Sequence, residues 1–156
     1  MCERRRAGRA LARVAIVVLA SAAIAGTSAA GGKHRSLTRG ELGPGFVIGS
    51  GQPALGLSVV IVDGRVASTA AADPGAADLV AQRGEGETQT TLNVRSRLDA
   101  TLKYDLYVSR DGRSFDYASA CAVTPGIAAF ELWQYPVREF ALGNVRVLPA
   151  GRMSCD

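Results

Sequence analysis

Residues 101–121, TLKYDLYVSRDGRSFDYASAC, constrain the fold more than any other part of this 156-residue chain. From 101 to 109 the side chains alternate. Leu102, Tyr104, Leu106 and Val108 fall on one phase, and Thr101, Lys103, Asp105, Tyr107 and Ser109 on the other. Successive side chains of a strand point to opposite faces, so this period of two predicts a half-buried strand. Arg110-Asp111-Gly112-Arg113 follows. Asp-Gly favours a two-residue hairpin turn, whose central positions both need positive φ. With Asp111 and Gly112 as the loop, Val108 faces Phe115, Leu106 faces Tyr117, Tyr104 faces Ser119 and Leu102 faces Cys121. The apolar phases coincide, and Tyr107 meets Asp116 across the outer face. A slip of one residue would turn the whole return strand over.

The same signal occurs upstream. Residues 57–62, LSVVIV, run into Asp63-Gly64, and 65–69 return as a partner strand. Further strands are expected near 91–98, 127–134 and 143–148, punctuated by Pro125, Pro136 and Pro149. Residues 73–84 read as one short helix, near 74–83, with Asp73 as cap, Pro74 at the first helical position and Gly84 as stop. Gly75 weakens that reading, and a loop with a brief strand is the alternative. The chain is therefore expected to be mainly β, a small antiparallel β-sandwich (immunoglobulin-like or similar) or a small barrel. Residues 31–45, GGKHRSLTRGELGPG, read as a flexible lead-in, and 46–156 as a single sandwich domain.

The start of the chain bears on the charge. A basic stretch, an apolar run of about a dozen residues and then small residues make 1–30 a signal peptide, cut before Gly31. The apolar run is short for a stable membrane span, which needs ~20 residues. The whole chain has 18 Lys+Arg and 14 Asp+Glu. Five arginines and one acid lie in 1–30, so 31–156 carries 13 of each. Nucleic-acid binding needs a clustered basic surface, and only Lys33, Arg35 and Arg39 gather loosely; no nucleic-acid partner is expected. Cys2 leaves with the leader, and Cys121 and Cys155 are expected to pair in an oxidising compartment. The Ala/Arg/Gly-rich leader suggests a bacterial source, and the location is periplasmic or secreted.

Little catalytic chemistry is written in the chain. His34 is the only histidine and lies in the lead-in, so a Ser-His-Asp, Cys-His or histidine-zinc site lacks its imidazole. No phosphate loop is present, and no metal or cofactor is expected. Asp105, Asp116 and Glu131 fall on the outward phase, where paired carboxylates could run glycoside hydrolysis if they shared a cleft. The aromatics say more. Eight of nine fall between Tyr104 and Phe140. Phe115, Phe130, Tyr104 and Tyr117 take the inward phase, and Tyr107, Trp133 and Tyr135 the outward one. A flat aromatic row can stack on sugar or anchor a protein, with Asp116 and Glu131 as polar contacts. A sole tryptophan in a small sandwich more often belongs to the core, so that reading stands beside it. The expectation is a small exported binding domain, not an enzyme, whose ligand is a carbohydrate or a protein surface met by Tyr107, Asp116, Glu131, Trp133 and Tyr135. An envelope assembly subunit that pairs through sheet edges is the alternative, and a carboxylate hydrolase the third.

Overall fold

The computed structural model describes residues 35–43, 45–149 and 151–155, so the predicted signal peptide and its cleavage site lie outside the described residues. Among the described residues ten strands form two antiparallel sheets packed face to face. In chain order they are β1 (Leu37–Thr38), β2 (Gly45–Gly49), β3 (Ala54–Val62), β4 (Arg65–Ala72), β5 (Leu79–Glu85), β6 (Thr90–Ser96), β7 (Leu102–Ser109), β8 (Ser114–Ala118), β9 (Ala129–Trp133) and β10 (Glu139–Val147). The first sheet has the order β1-β8-β7-β10-β2, the second β4-β3-β5-β6-β9. The chain is a small β-sandwich, as its alternation predicts.

The core lies between the sheets. Tyr104, Leu106 and Val108 of β7 and Phe140 and Leu142 of β10 meet Leu57 and Val59 of β3 and Leu92 and Val94 of β6. Aligned packing of two such inner faces is what period-two strands allow. Cys121 and Cys155 form a disulfide across 34 residues. It pins the C-terminal segment over the outer face of β7. There Lys103, expected to face solvent, is only 1% exposed. Its ammonium donates to the carbonyls of Ala120 and Ser154, so the charge is buried with hydrogen bonds.

Of the two Asp-Gly turns, one folds as read. At 63–64 both residues take positive φ, 49° and 71°, and Val62 pairs with Arg65. At 111–112 the loop is longer. The Asp111 carboxylate accepts from the amides of Arg113 and Ser114, at 2.8 and 2.9 Å, and the Ser109 hydroxyl donates to it at 3.1 Å. These bonds, the Arg113 amide first, hold its carboxyl well below the usual carboxylate range. The side chain caps the loop instead of letting Asp111 enter the left-handed region. Val108 therefore pairs with Asp116, Tyr107 with Tyr117 and Leu106 with Ala118, one residue away from the expected register. Further along, Leu102 bridges Val123 rather than Cys121. Every side chain of β8 changes face. Phe115 is buried, but on the outer face, where β1 pairs alongside and the Arg39 guanidinium lies 5.5 Å from its ring centre. Tyr117 meets Tyr107 edge-on at 5.5 Å.

Two other expectations are corrected. No helix forms near 74–83. Asp73 does start a turn, accepting from Ala76 and Ala77 through its carbonyl and from Gly75 through its side chain. The turn then docks on β3 at Gly56, where an added Cβ would stand 2.4 Å from that of Ala77. Asp78 is spliced into β3 by its amide to Leu57 and its carboxylate to the Val59 amide. Two neighbours, β3 and β6, then hold 79–85 extended. The described part of the lead-in is also ordered. β1 pairs with β8, and a 3₁₀ turn, Arg39–Glu41, follows. Arg39 bonds Glu139 at the start of β10. Glu41 accepts from the Thr38 amide and from Arg35, which lower its carboxyl pKa to about 2.

Candidate functional site

Strand β9 was expected to bury Phe130 and to present Glu131 and Trp133 to solvent. The reverse holds. β6 pairs Thr90 with Trp133, Leu92 with Glu131 and Val94 with Ala129, and the three β6 residues are buried. Cross-strand partners share a face, so Ala129, Glu131 and Trp133 point between the sheets. Phe130 is 62% exposed and Leu132 49%, both on the outer face. Trp133 is half-buried, with its ring centre 4.9 Å from that of Phe140. The predicted flat row of Tyr107, Trp133 and Tyr135 therefore does not exist as one surface. Tyr107 lies on the outer face of its own sheet, in a separate groove with Asp105 and Leu37. Burial, and then the charge of Asp105, push its phenol pKa up, and Arg35 offsets part of this.

Two changes of face bring the other four residues together. The slip in β8 turns Asp116 to the side of Val108, and the phase of β9 turns Glu131 and Trp133 inward. Asp116, Glu131, Trp133 and Tyr135 line one cleft of about 630 Å3, along one side of the sandwich between β8 and β9. Each of these strands has an uncovered side. Among the described residues β9 pairs only with β6, and β1 covers β8 only at Ser114 and Phe115.

The cleft is held by a few specific contacts. The Thr90 hydroxyl, in a buried residue, accepts from the Val137 amide at 2.9 Å and donates to the Tyr135 carbonyl at 3.3 Å, fixing the bend after β9. The Arg110 guanidinium sits 3.8 Å over the Tyr135 ring, a close cation–π contact. The Ser36 hydroxyl donates to Asp116, and the Cys121 amide donates to Glu131 at 3.3 Å. Tyr104 lies fully buried in the core, with no hydrogen-bond partner for its hydroxyl among the described residues. Burial, and then the Glu131 charge, push its phenol far above the ordinary range, so it stays neutral. Among the described residues no group of three or more His, Cys, Asp or Glu could hold a metal ion.

Arg110 and Ser36 were not anticipated. Arg110 is a loop residue with no periodic signal, and Ser36 lies in the segment read as flexible. The architecture and the cleft define a class: an antiparallel β-sandwich with an open lateral edge that carries aromatic and acidic side chains. Compared with protein-family models, curated proteins and solved structures, the chain matches none.

Proposed function

We propose that this chain is an exported, non-catalytic binding domain that takes up an extended segment of a partner protein along β9. The observation that carries this reading is an edge strand with apolar side chains in the open. Natural sheets cover or charge such edges, because unpaired N–H and C=O groups recruit another strand. Here Phe130 and Leu132 stand exposed beside an edge that is unpaired among the described residues. Main-chain bonding along an edge gives affinity, and pockets for alternate side chains give specificity. The reading joins recognition by the Trp133/Tyr135 region to assembly through sheet edges.

Carbohydrate is the weaker ligand. Sugar stacking needs a free ring face, whereas one face of Tyr135 is taken by Arg110 and Trp133 leans on Phe140. Hydrolysis has one observation in its favour, the shared cleft of Asp116 and Glu131. It needs a carboxyl kept protonated to protonate the leaving group. The two carboxyl groups here hold structural contacts, Asp116 with the Ser36 hydroxyl and Glu131 with the Cys121 amide. Export is supported by the disulfide, since such bonds persist in oxidising compartments, and by the basic-then-apolar start of the chain. No helix of the described residues is long and apolar enough to cross a membrane.

The test probes the purified protein against an array of extended peptides and an array of glycans. The expected result is peptide binding that disappears in Phe130→Ser/Leu132→Ser. Binding confined to glycans, or peptide binding that survives the double substitution, contradicts the proposal.

A further inference from the structure

We infer that the segment recognised by β9 carries a cationic residue flanked on both sides by apolar ones, an apolar–Arg/Lys–apolar stretch in extended conformation. This rests on the edge-binding reading and names its partner chemistry.

A strand laid beside β9 sets each of its residues opposite one β9 residue, on the same face. Phe130 and Leu132 lie on the outer face, exposed and two positions apart. Their partners gain by being apolar. The residue between them falls opposite Glu131 and points into the cleft. There it meets the Glu131 carboxylate and, across the gap, Asp116. Among the described residues Arg110 is the one cation lining the cleft, set against two carboxylates, and it is held over the Tyr135 ring. The middle of the cleft is therefore short of positive charge, and an incoming guanidinium or ammonium supplies it. Opposite charges directly across a pair of strands attract, and like charges repel.

The same rule disfavours a second copy of this chain. Two β9 strands aligned to pair Phe130 with Leu132 would set Glu131 against Glu131. An incoming strand without charge at the central position would leave the acidic pair unmatched.

The experiment uses three nine-residue peptides that differ only at the centre: Val-Arg-Val, Val-Gln-Val and Val-Glu-Val. Binding to the purified protein is read by calorimetry and by the change in Trp133 emission. The expected order is Arg, then Gln, then Glu, with about 10-fold between the first and last at low salt. The spread should shrink in Glu131→Gln, whose amide oxygen can still accept from the Cys121 amide. It should shrink likewise in Asp116→Asn, on the opposite wall, and with added salt. Equal binding of all three peptides overturns the charge assignment and leaves edge binding standing. No binding of any of them, with the protein folded by circular dichroism, sinks edge binding itself. Self-association of the protein that excludes the peptides overturns the inference in favour of a second copy.

Discussion

Trp133→Ala and Phe130→Ala are nearly adjacent substitutions that separate the two possible faces of β9. Removing a fully buried tryptophan side chain costs about 3–5 kcal/mol, from lost transfer energy and the cavity left behind. Trp133 packs on Phe140, and part of its indole borders the cleft, so about 2–3 kcal/mol is expected. Phe130 is 62% exposed, and its truncation loses little buried area. The remaining cost is strand propensity, under about 1 kcal/mol. Urea unfolding followed by far-ultraviolet circular dichroism reads both, since the Trp133 variant has no indole to report. With a slope of about 1–3 kcal/mol per molar urea, the Trp133 variant should lose about 1–2 M in midpoint and the Phe130 variant less than half of that. A larger loss for Phe130→Ala would mean that β9 faces the other way. The cleft built from Glu131 and Trp133 would then have to be abandoned.

Three further expectations come from the same contacts. Reducing Cys121–Cys155, or replacing both cysteines by serine, should cost about 4 kcal/mol by the loop-entropy account, seen as a lower melting temperature. Gly56→Ala should destabilise by about 1–3 kcal/mol through overpacking, because the new methyl meets Ala77 at 2.4 Å; unchanged unfolding would mean that the 73–77 turn is not docked on β3. Glu41 and Asp111 have carboxyl pKa values below the unfolded ones, so their contributions are fully present above about pH 5 and decline as pH falls through the folded values. Unfolding midpoints at pH 7, 4 and 2 should therefore fall in that order, and the drop from pH 4 to pH 2 should shrink in Glu41→Gln.

The sandwich was legible in the sequence because strand alternation, Asp-Gly turns and proline punctuation all point the same way. The faces of individual strands were less so. Asp63-Gly64 and Asp111-Gly112 carry one signal, yet only the second has serines at 109 and 114 for its carboxylate to bond. That local competition sets β8 one residue off, and a register of one residue decides a face. For β9 the determinant is non-local. Its phase follows the buried row of β6, some 40 residues upstream, and five residues alone do not reveal it. Asp73 was a sound start signal, but the pull of two neighbouring strands on 79–85 prevailed over a helix whose apolar stripe was only Leu79 and Val80. The grouping of Asp116, Glu131, Trp133 and Tyr135 was anticipated, though on an outward strand face rather than in a lateral cleft.

Amide hydrogen exchange of β9, measured residue by residue with and without the Val-Arg-Val peptide, tests edge binding most directly. Slowed exchange at 129–133, with Asp105, Tyr107 and Ala141 unchanged, is the result predicted. Slowing at the Tyr107 groove, with β9 unaffected, would contradict it.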